Sequence, residues 1–298
     1  VKEVIDNAID EFIMGNGKRI EIELKENKVK VRDYGRGIPL GKVVECVSHI
    51  NTGAKYNDDV FQFSVGLNGV GTKAVNALST HFRVVSVRDG KYSEALFKKG
   101  VLESSKKGSL KTAAKNGTYV EFIPDVDVFG EYEFNTEFLE KRLWNYAYLN
   151  AGLSLFFNGK EYQSKNGLFD LLTEEAGETA LYNIAHYKGE HLEFSFTHSN
   201  NYGEEYFSFV NGQDTTNGGT HLSAFKEGFL KGVQGFYKKD YRSEDVREGC
   251  IGAVAIKLKN PVFESQTKNK LGNSEVRSWI VQETRSAVDD WLHKNAET

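Results

Sequence analysis

Apolar residues recur every three or four positions over residues 1–14. Val4, Ile5, Ala8, Ile9, Phe12 and Ile13 fall on one side, which predicts a helix. Gly15-Asn16-Gly17 closes it. Ile20-Glu21-Ile22-Glu23-Leu24 and Val29-Lys30-Val31-Arg32-Asp33 alternate apolar with polar, so two strands are expected around a turn at Glu26-Asn27. A glycine-rich loop follows at 34–39, then a helix over 43–50 and an irregular polar stretch over 51–65. A helix is expected over 69–78, strands near 82–88 and 94–99, and a charged loop over 104–115. A strand over 117–123, a helix over 136–150 and a strand over 153–157 complete this part. The composition breaks near 163–167. Beyond it come a helix at 168–175, strands near 191–197 and 205–211, a helix at 220–233, an apolar strand at 250–258 and a closing helix at 274–293. The mixture reads as an α+β fold class in two domains, 1–165 and 166–298, with no internal repeat.

Three segments in the first domain carry candidate chemistry. Glu3, Asn7 and Asp10 or Glu11 lie three or four apart and share one face of the first helix. A carboxylate can orient or deprotonate a water there, and an amide oxygen can ligate a hard cation such as Mg²⁺. A solvated helix face has the same pattern. Asp33-Tyr34-Gly35-Arg36-Gly37-Ile38-Pro39 follows a strand. Its Asp could accept a hydrogen bond from an exocyclic amine, and its glycines would let backbone approach a flat ring. A plain glycine-rich turn would also account for it. Gly66-Leu67-Asn68-Gly69-Val70-Gly71 runs from loop into helix, where backbone N–H groups can cradle phosphate. It fits neither the dinucleotide fingerprint nor the P-loop, and an ordinary helix-start loop is the alternative.

Together the segments, with Gly117-Thr118-x-Val120, resemble the GHKL ATPases: type II topoisomerases, mismatch-repair ATPases, ninety-kilodalton heat-shock chaperones and histidine kinases. The resemblance implies a GHKL (Bergerat) two-layer α/β sandwich binding ATP with Mg²⁺. Asn217-Gly218-Gly219-Thr220-His221-Leu222, Arg247-Glu248-Gly249 and Ser265-Gln266-Thr267-Lys268-x-Lys270-Leu271 resemble the transducer domain of gyrase B and topoisomerase IV E subunits. By position, Glu3 matches the general base, Asn7 the Mg²⁺ ligand and Asp33 the adenine-reading carboxylate, which the Thr118 hydroxyl supports. Asp10, Gly35, Gly37, Ile38, Pro39 and Val120 would line the adenine pocket, with Glu11 and Arg36 salt-bridged at its mouth. Lys55 and residues Gly66, Leu67, Asn68, Gly69, Val70 and Gly71 would hold phosphates under a lid. Gln266 and Lys268 would reach the γ-phosphate.

Departures from the family pattern point toward the topoisomerase IV E type over gyrase B. Asn68 stands where gyrases usually carry His, Pro39 runs almost directly into the 42–50 segment, and Glu94 aligns where gyrases often carry an Arg below the pocket. The first helix opens without a capping residue, so further residues, including the family's N-terminal arm, are expected ahead of Val1. The remaining composition narrows the setting. Two distant cysteines, Cys46 and Cys250, form neither a disulfide framework nor a zinc site, which fits a reducing cytoplasm and, through the resemblance, association with the nucleoid. No apolar run nears the ~20 residues of a membrane span, and no signal peptide is evident. A net charge of −4 argues against a strong general DNA binder, although the second domain's tail is locally basic around Lys238, Lys239, Arg242 and Arg247. His221 reads as structural. The partners implied are DNA through the full enzyme, a second copy of the same polypeptide on ATP binding, the DNA-cleaving subunit and adenine-competitive inhibitors. Two alternatives stay open: another GHKL ATPase of mismatch-repair or chaperone type, and a nucleotide-binding module without turnover.

Overall fold

The computed structural model describes residues 1–50, 70–265 and 267–297. The chain divides into two compact units, Val1–Ser164 and Lys165–Thr298. The first begins with α1 (Lys2–Ile13), β1 (Arg19–Lys25) and β2 (Lys28–Asp33). Then come α2 (Val43–Ser48), α3 (Gly71–Ala77), β3 (Ser79–Arg88), β4 (Lys91–Lys98), β5 (Val101–Ser109) and β6 (Gly117–Pro124). It closes with α4 (Val126–Phe129), α5 (Thr136–Leu149), β7 (Ser154–Phe157) and β8 (Lys160–Tyr162). The eight strands form one sheet in the order β5-β4-β3-β6-β2-β1-β7-β8. All pairings are antiparallel except β1 with β7.

Strand alternation decides which sheet face is covered. Ile20, Ile22, Val29, Val31, Phe82, Val84, Ala95, Phe97, Val120 and Phe122 are buried, in one core with Val4, Ile5, Ala8 and Ile9 of α1, Val43 and Val47 of α2, and Leu139 and Leu143 of α5. Each such large side chain contributes roughly 1.5–3 kcal/mol through burial. The alternate positions, among them Glu21, Glu23, Lys30, Arg32, Arg83 and Glu94, are less buried and form ion pairs such as Arg83–Glu94 at 2.8 Å. The result is a two-layer sandwich with helices on one side.

One expectation from sequence needs correction here. The charged stretch from 104 onward is a strand as far as Ser109, not a loop, and pairs with β4 from Lys91↔Ser109 to Lys98↔Val101. Its side chains are almost all exposed, so no period-2 burial marks it; backbone pairing to a hairpin partner makes it a strand. Glu94 lies on β4. Ala95 beside it points into the core, so Glu94 faces away and pairs with Arg83.

The second unit contains α6 (Leu168–Ala176), β9 (Ala185–Lys188), β10 (Leu192–His198), β11 (Glu205–Val210) and β12 (Gln213–Asp214). It continues with α7 (Thr220–Tyr237), α8 (Ser243–Arg247), β13 (Cys250–Ile256) and α9 (Arg277–Lys294). Its sheet runs β12-β11-β13-β10-β9, with β11 and β13 parallel. α7 and α9 pack closely because glycine faces the partner helix. A Cβ on Gly228 would lie 2.7 Å from Thr284, and one on Gly232 2.8 Å from Val288. Among the described residues, no helix is long and apolar enough to cross a membrane. Both units mix helices with sheet, so the chain is α+β.

Candidate functional site

One face of α1 organises the site. Glu3, Asn7, Asp10 and Glu11 lie within nine residues, whose eight steps rise about 12 Å at 1.5 Å each. At the first end, Glu3 lies against α3 so closely that a Cβ on Gly71 would fall 1.9 Å from its Oε2. Glycine at 71 is therefore what lets the carboxylate reach across. Glu3 remains 44% exposed, open to water. One turn on, the Asn7 Nδ2 donates to the Glu3 carbonyl at 2.9 Å and to the Thr72 hydroxyl on α3. At the far end, the Glu11 carboxylate accepts from the Arg36 Nε at 3.1 Å, its Nη2 at 2.9 Å and its backbone N–H at 2.9 Å. Gly35 allows this approach, since a Cβ there would meet the Glu11 side chain at 2.7 Å.

The back wall comes from the sheet. Asp33, at the end of β2, is 7% exposed. Its Oδ1 accepts backbone N–H groups from Gly35 at 2.9 Å and Thr118 at 3.1 Å. Thr118 thus touches Asp33 directly through its backbone N–H. Burial pushes the carboxyl up to about 6, a rise that the two backbone donors partly oppose. Gly117 must be glycine: its φ is +138°, and a Cβ would sit 2.2 Å from the Asp33 carbonyl. Val120 is buried in the same core face of β6, and Ile38 packs against that core. Asp10 is buried at 2% exposure. Pro39 accepts the Lys42 N–H at 2.8 Å as the chain turns into α2.

Several expected residues lie outside the described residues: Lys55, Gly66, Leu67, Asn68, Gly69 and Gln266. Val70 is described, 39% exposed at the start of α3. Lys268 belongs to the second unit, in a turn with φ +58° whose N–H bonds the Ser265 carbonyl at 3.0 Å.

The structure adds residues that no motif singles out. Ser86 is fully buried and donates to the Ile38 carbonyl at 2.6 Å, pinning the glycine-rich loop to β3. Its signal is present in the sequence: a hydroxyl at an inward position beside Phe82 and Val84. Arg88 lies at the same loop, its Cγ 3.1 Å from where a Cβ on Gly37 would stand. Asp6, on the buried side of α1, takes the Lys2 ammonium and the Tyr146 hydroxyl.

The donor set suits a hard cation shared with phosphate. No group of three or more His, Cys, Asp or Glu able to hold a metal occurs among the described residues. Mg²⁺ is commonly held by one or two protein oxygens plus substrate phosphates, and an amide oxygen beside an open carboxylate fits that habit.

His221 behaves differently. It is fully buried in the second unit, with Nε2 3.0 Å from the Thr215 hydroxyl, which is itself bonded to Ser208. Burial lowers its pKa to about 4, so it is neutral. It ties the 215–221 turn to β11, in keeping with a structural role. The basic tail is partly neutralised: Arg242 pairs with Asp245 at 2.8 Å and Arg247 with Glu204 at 3.2 Å.

Known proteins resemble this chain over nearly its whole length. Residues 1–127 match the family described as "Histidine kinase-, DNA gyrase B-, and HSP90-like ATPase", and residues 160–298 match "DNA gyrase B". The DNA topoisomerase 4 B-subunit of Borreliella burgdorferi is 55% identical over 99% of this chain and 49% of its own length. The DNA gyrase B-subunit of Thermotoga maritima is 35% identical over 100% of this chain and 52% of its own. The chain thus spans about half the length of these curated relatives. Among solved structures, the 43K ATPase domain of Thermus thermophilus gyrase B, in complex with an aminocoumarin, superposes with a TM-score of 0.78 at 30% identity. That match covers 99% of this chain and 84% of the other. The ATPase region of Saccharomyces cerevisiae topoisomerase II shares the fold, at 22% identity and a TM-score of 0.78. With two family matches along the chain and a solved gyrase B ATPase domain that it covers almost throughout, the chain belongs to the GHKL-type ATPase region of the gyrase B and topoisomerase 4 family of type IIA DNA topoisomerases.

Proposed function

We propose that the first unit binds Mg·ATP and hydrolyses it, as the ATP-driven part of a type IIA DNA topoisomerase. The observation that carries this is the α1 face. It presents Glu3 and Asn7 beside α3 at one end and holds the Asp33–Arg36 loop through Glu11 at the other. Adenine sits at the Asp33 end, where an exocyclic amine donates to the carboxylate, with Asp10, Gly35, Gly37, Ile38, Pro39, Thr118 and Val120 around the ring. The phosphates run toward Glu3. Glu3 orients the attacking water and takes its proton, and Asn7 offers Oδ1 to Mg²⁺. Bound Mg²⁺ would neutralise charge on the phosphate oxygens. Phosphoryl transfer asks chiefly for such positioning and electrostatics. Lys55, Gly66, Leu67, Asn68, Gly69, Val70 and Gly71 toward the phosphates, and Gln266 and Lys268 toward the γ-phosphate, rest on the motifs. So do the domain roles: residues 1–165 as the ATPase and 166–298 as the transducer.

In the whole protein, ATP turnover would drive passage of one DNA duplex through another, with a second copy of this polypeptide and a DNA-cleaving partner. The topoisomerase IV type is favoured by one relative, the 55% identical topoisomerase 4 B-subunit, since a second topoisomerase 4 relative, at 32%, is no nearer than the gyrase B relatives at 33–35%. The "DNA gyrase B" match over 160–298 weighs against a chaperone or mismatch-repair ATPase. Adenine-competitive inhibitors are expected to bind at Asp33.

Two substitutions separate binding from turnover. Glu3→Ala should keep nucleotide affinity and lower steady-state hydrolysis by about 10²–10⁴-fold, the range of a lost general base. Asp33→Ala should instead weaken binding of ADP and of adenine-competitive inhibitors alike. Unchanged turnover in the first, or unchanged affinity in the second, would remove that residue from the site.

A further inference from the structure

We infer that Thr72 is a positioning residue for the metal-binding amide: its hydroxyl sets the plane in which Asn7 presents Oδ1. The inference rests on the reading of Asn7 as the Mg²⁺ ligand.

A primary amide on a helix can rotate about its last side-chain bond, and its two ends differ only in donor and acceptor character. Two contacts remove that freedom here. The Glu3 carbonyl, one turn back at 2.9 Å, can only accept, so it selects the NH₂ end of the amide and rejects Oδ1. That fixes the sense of the group but leaves it a hinge. The second Nδ2 proton goes to the Thr72 Oγ1, on a different helix and 65 residues away in sequence. With two acceptors on one NH₂, the amide plane is determined, and Oδ1 points away from both. A hydroxyl could also donate to Oδ1 if the amide were flipped, but the Glu3 carbonyl would then face an oxygen. The two partners are effective only as a pair.

The local sequence makes this arrangement possible. Gly71 has no Cβ, so α3 approaches α1 closely enough for Glu3 to pack over it. Thr72 follows directly, and its β-branched side chain has few rotamers, so the hydroxyl is held. Glu3 and Asn7 on α1 thus meet Gly71 and Thr72 on α3, one pair for the water and one for the metal. A hydrophobic β-branched residue of equal size at 72 would keep the packing and lose the acceptor.

The test uses this 298-residue chain with ADP as probe, titrated calorimetrically in EDTA and across a Mg²⁺ series. Thr72→Val should leave ADP affinity in EDTA unchanged and raise the Mg²⁺ concentration for half-maximal enhancement by roughly threefold to tenfold, the worth of one hydrogen bond. Thr72→Ser, which keeps the hydroxyl, should restore the Mg²⁺ response. A wild-type Mg²⁺ response in Thr72→Val overturns the inference. So does an equal loss with and without Mg²⁺, or failure of Thr72→Ser to restore it, because either would mean a merely structural contact. Asn7→Ala is the separate check on the foundation. If it keeps the full Mg²⁺ response, the assignment of Asn7 fails, whatever Thr72 does.

Discussion

The two units bury titratable groups in opposite ways. In the first, Asp33 is shut into the end of β2 with two backbone donors on one oxygen and a pKa raised to about 6. In the second, His221 is enclosed between α7 and the 215 turn, with a pKa lowered to about 4. Both are neutralised by burial in the conditions that would otherwise charge them. Their surroundings differ. His221 bonds the Thr215 hydroxyl, which is bonded reciprocally with Ser208, all within one turn and its neighbouring strand. Asp33 is held by a glycine-rich loop and a distant strand, at the position proposed for adenine. A buried polar group inside a short local network stabilises a turn. One assembled from distant segments around a carboxylate marks a site.

Paired glycine substitutions should break this comparison most sharply. Gly117 (φ +138°) would put a Cβ 2.2 Å from the Asp33 carbonyl, and Gly219 (φ +128°) would put one 2.4 Å from Leu271 backbone atoms. Gly117→Ala and Gly219→Ala should each destabilise their own unit by about 3 kcal/mol or more, seen by calorimetry. Only Gly117→Ala should also weaken nucleotide binding, because only it displaces Asp33. Equal effects on binding would show that the first-unit glycine has no special link to the site.

The second expectation concerns pH. Asp33 has a folded pKa of about 6 against an ordinary 3.8, so its contribution to stability is full below 3.8 and lost as pH rises through 6. His221 has about 4 against 6.5, so its contribution is full above 6.5 and lost as pH falls through 4. Each is worth about 3 kcal/mol across its window. Asp33→Asn should therefore gain on the parent protein as pH rises from 4 to 7, and His221→Gln should lose ground over the same range. Denaturation profiles that shift in the same direction would contradict the contrast.

The smallest effect is expected at the loop's ion pair. Arg36 is 40% exposed and Glu11 20%, so Arg36→Ala should cost only about 1 kcal/mol of stability. Lys270–Glu264 in the second unit is more open, at 46% and 55%, and Lys270→Ala should cost about 0.5 kcal/mol or less. The two variants, melted side by side, rank the pairs; a reversed order would mean that burial does not set their strength.

How much of this can be read from sequence follows from where the information resides. β1 and β2 are legible because Ile20, Ile22, Val29 and Val31 alternate with charges on a half-covered sheet. β5 is not, because its strand character comes from pairing with β4 and its side chains face solvent. β9 and β12 are likewise edge strands of four and two residues, too short to show a period. At the site, Glu3, Asn7 and Asp33 stand out because motif spacing is local. Their partners do not. Thr118 is 85 residues from Asp33, and Thr72 is 65 from Asn7. Ser86 is placed by β3 pairing with β6, which no local pattern specifies.

The exposed charges that hide β5 from view have a consequence of their own. A sheet edge is a row of unsatisfied backbone donors and acceptors, ready to recruit another chain. Both edges of the eight-stranded sheet carry charge: Glu103, Lys106 and Lys107 on β5, and Lys160 and Glu161 on β8. A chain joining in register would stack like charges against one another and strip them of water. What looks like a poor strand by composition is therefore a charged border, the kind that opposes edge-to-edge pairing of sheets.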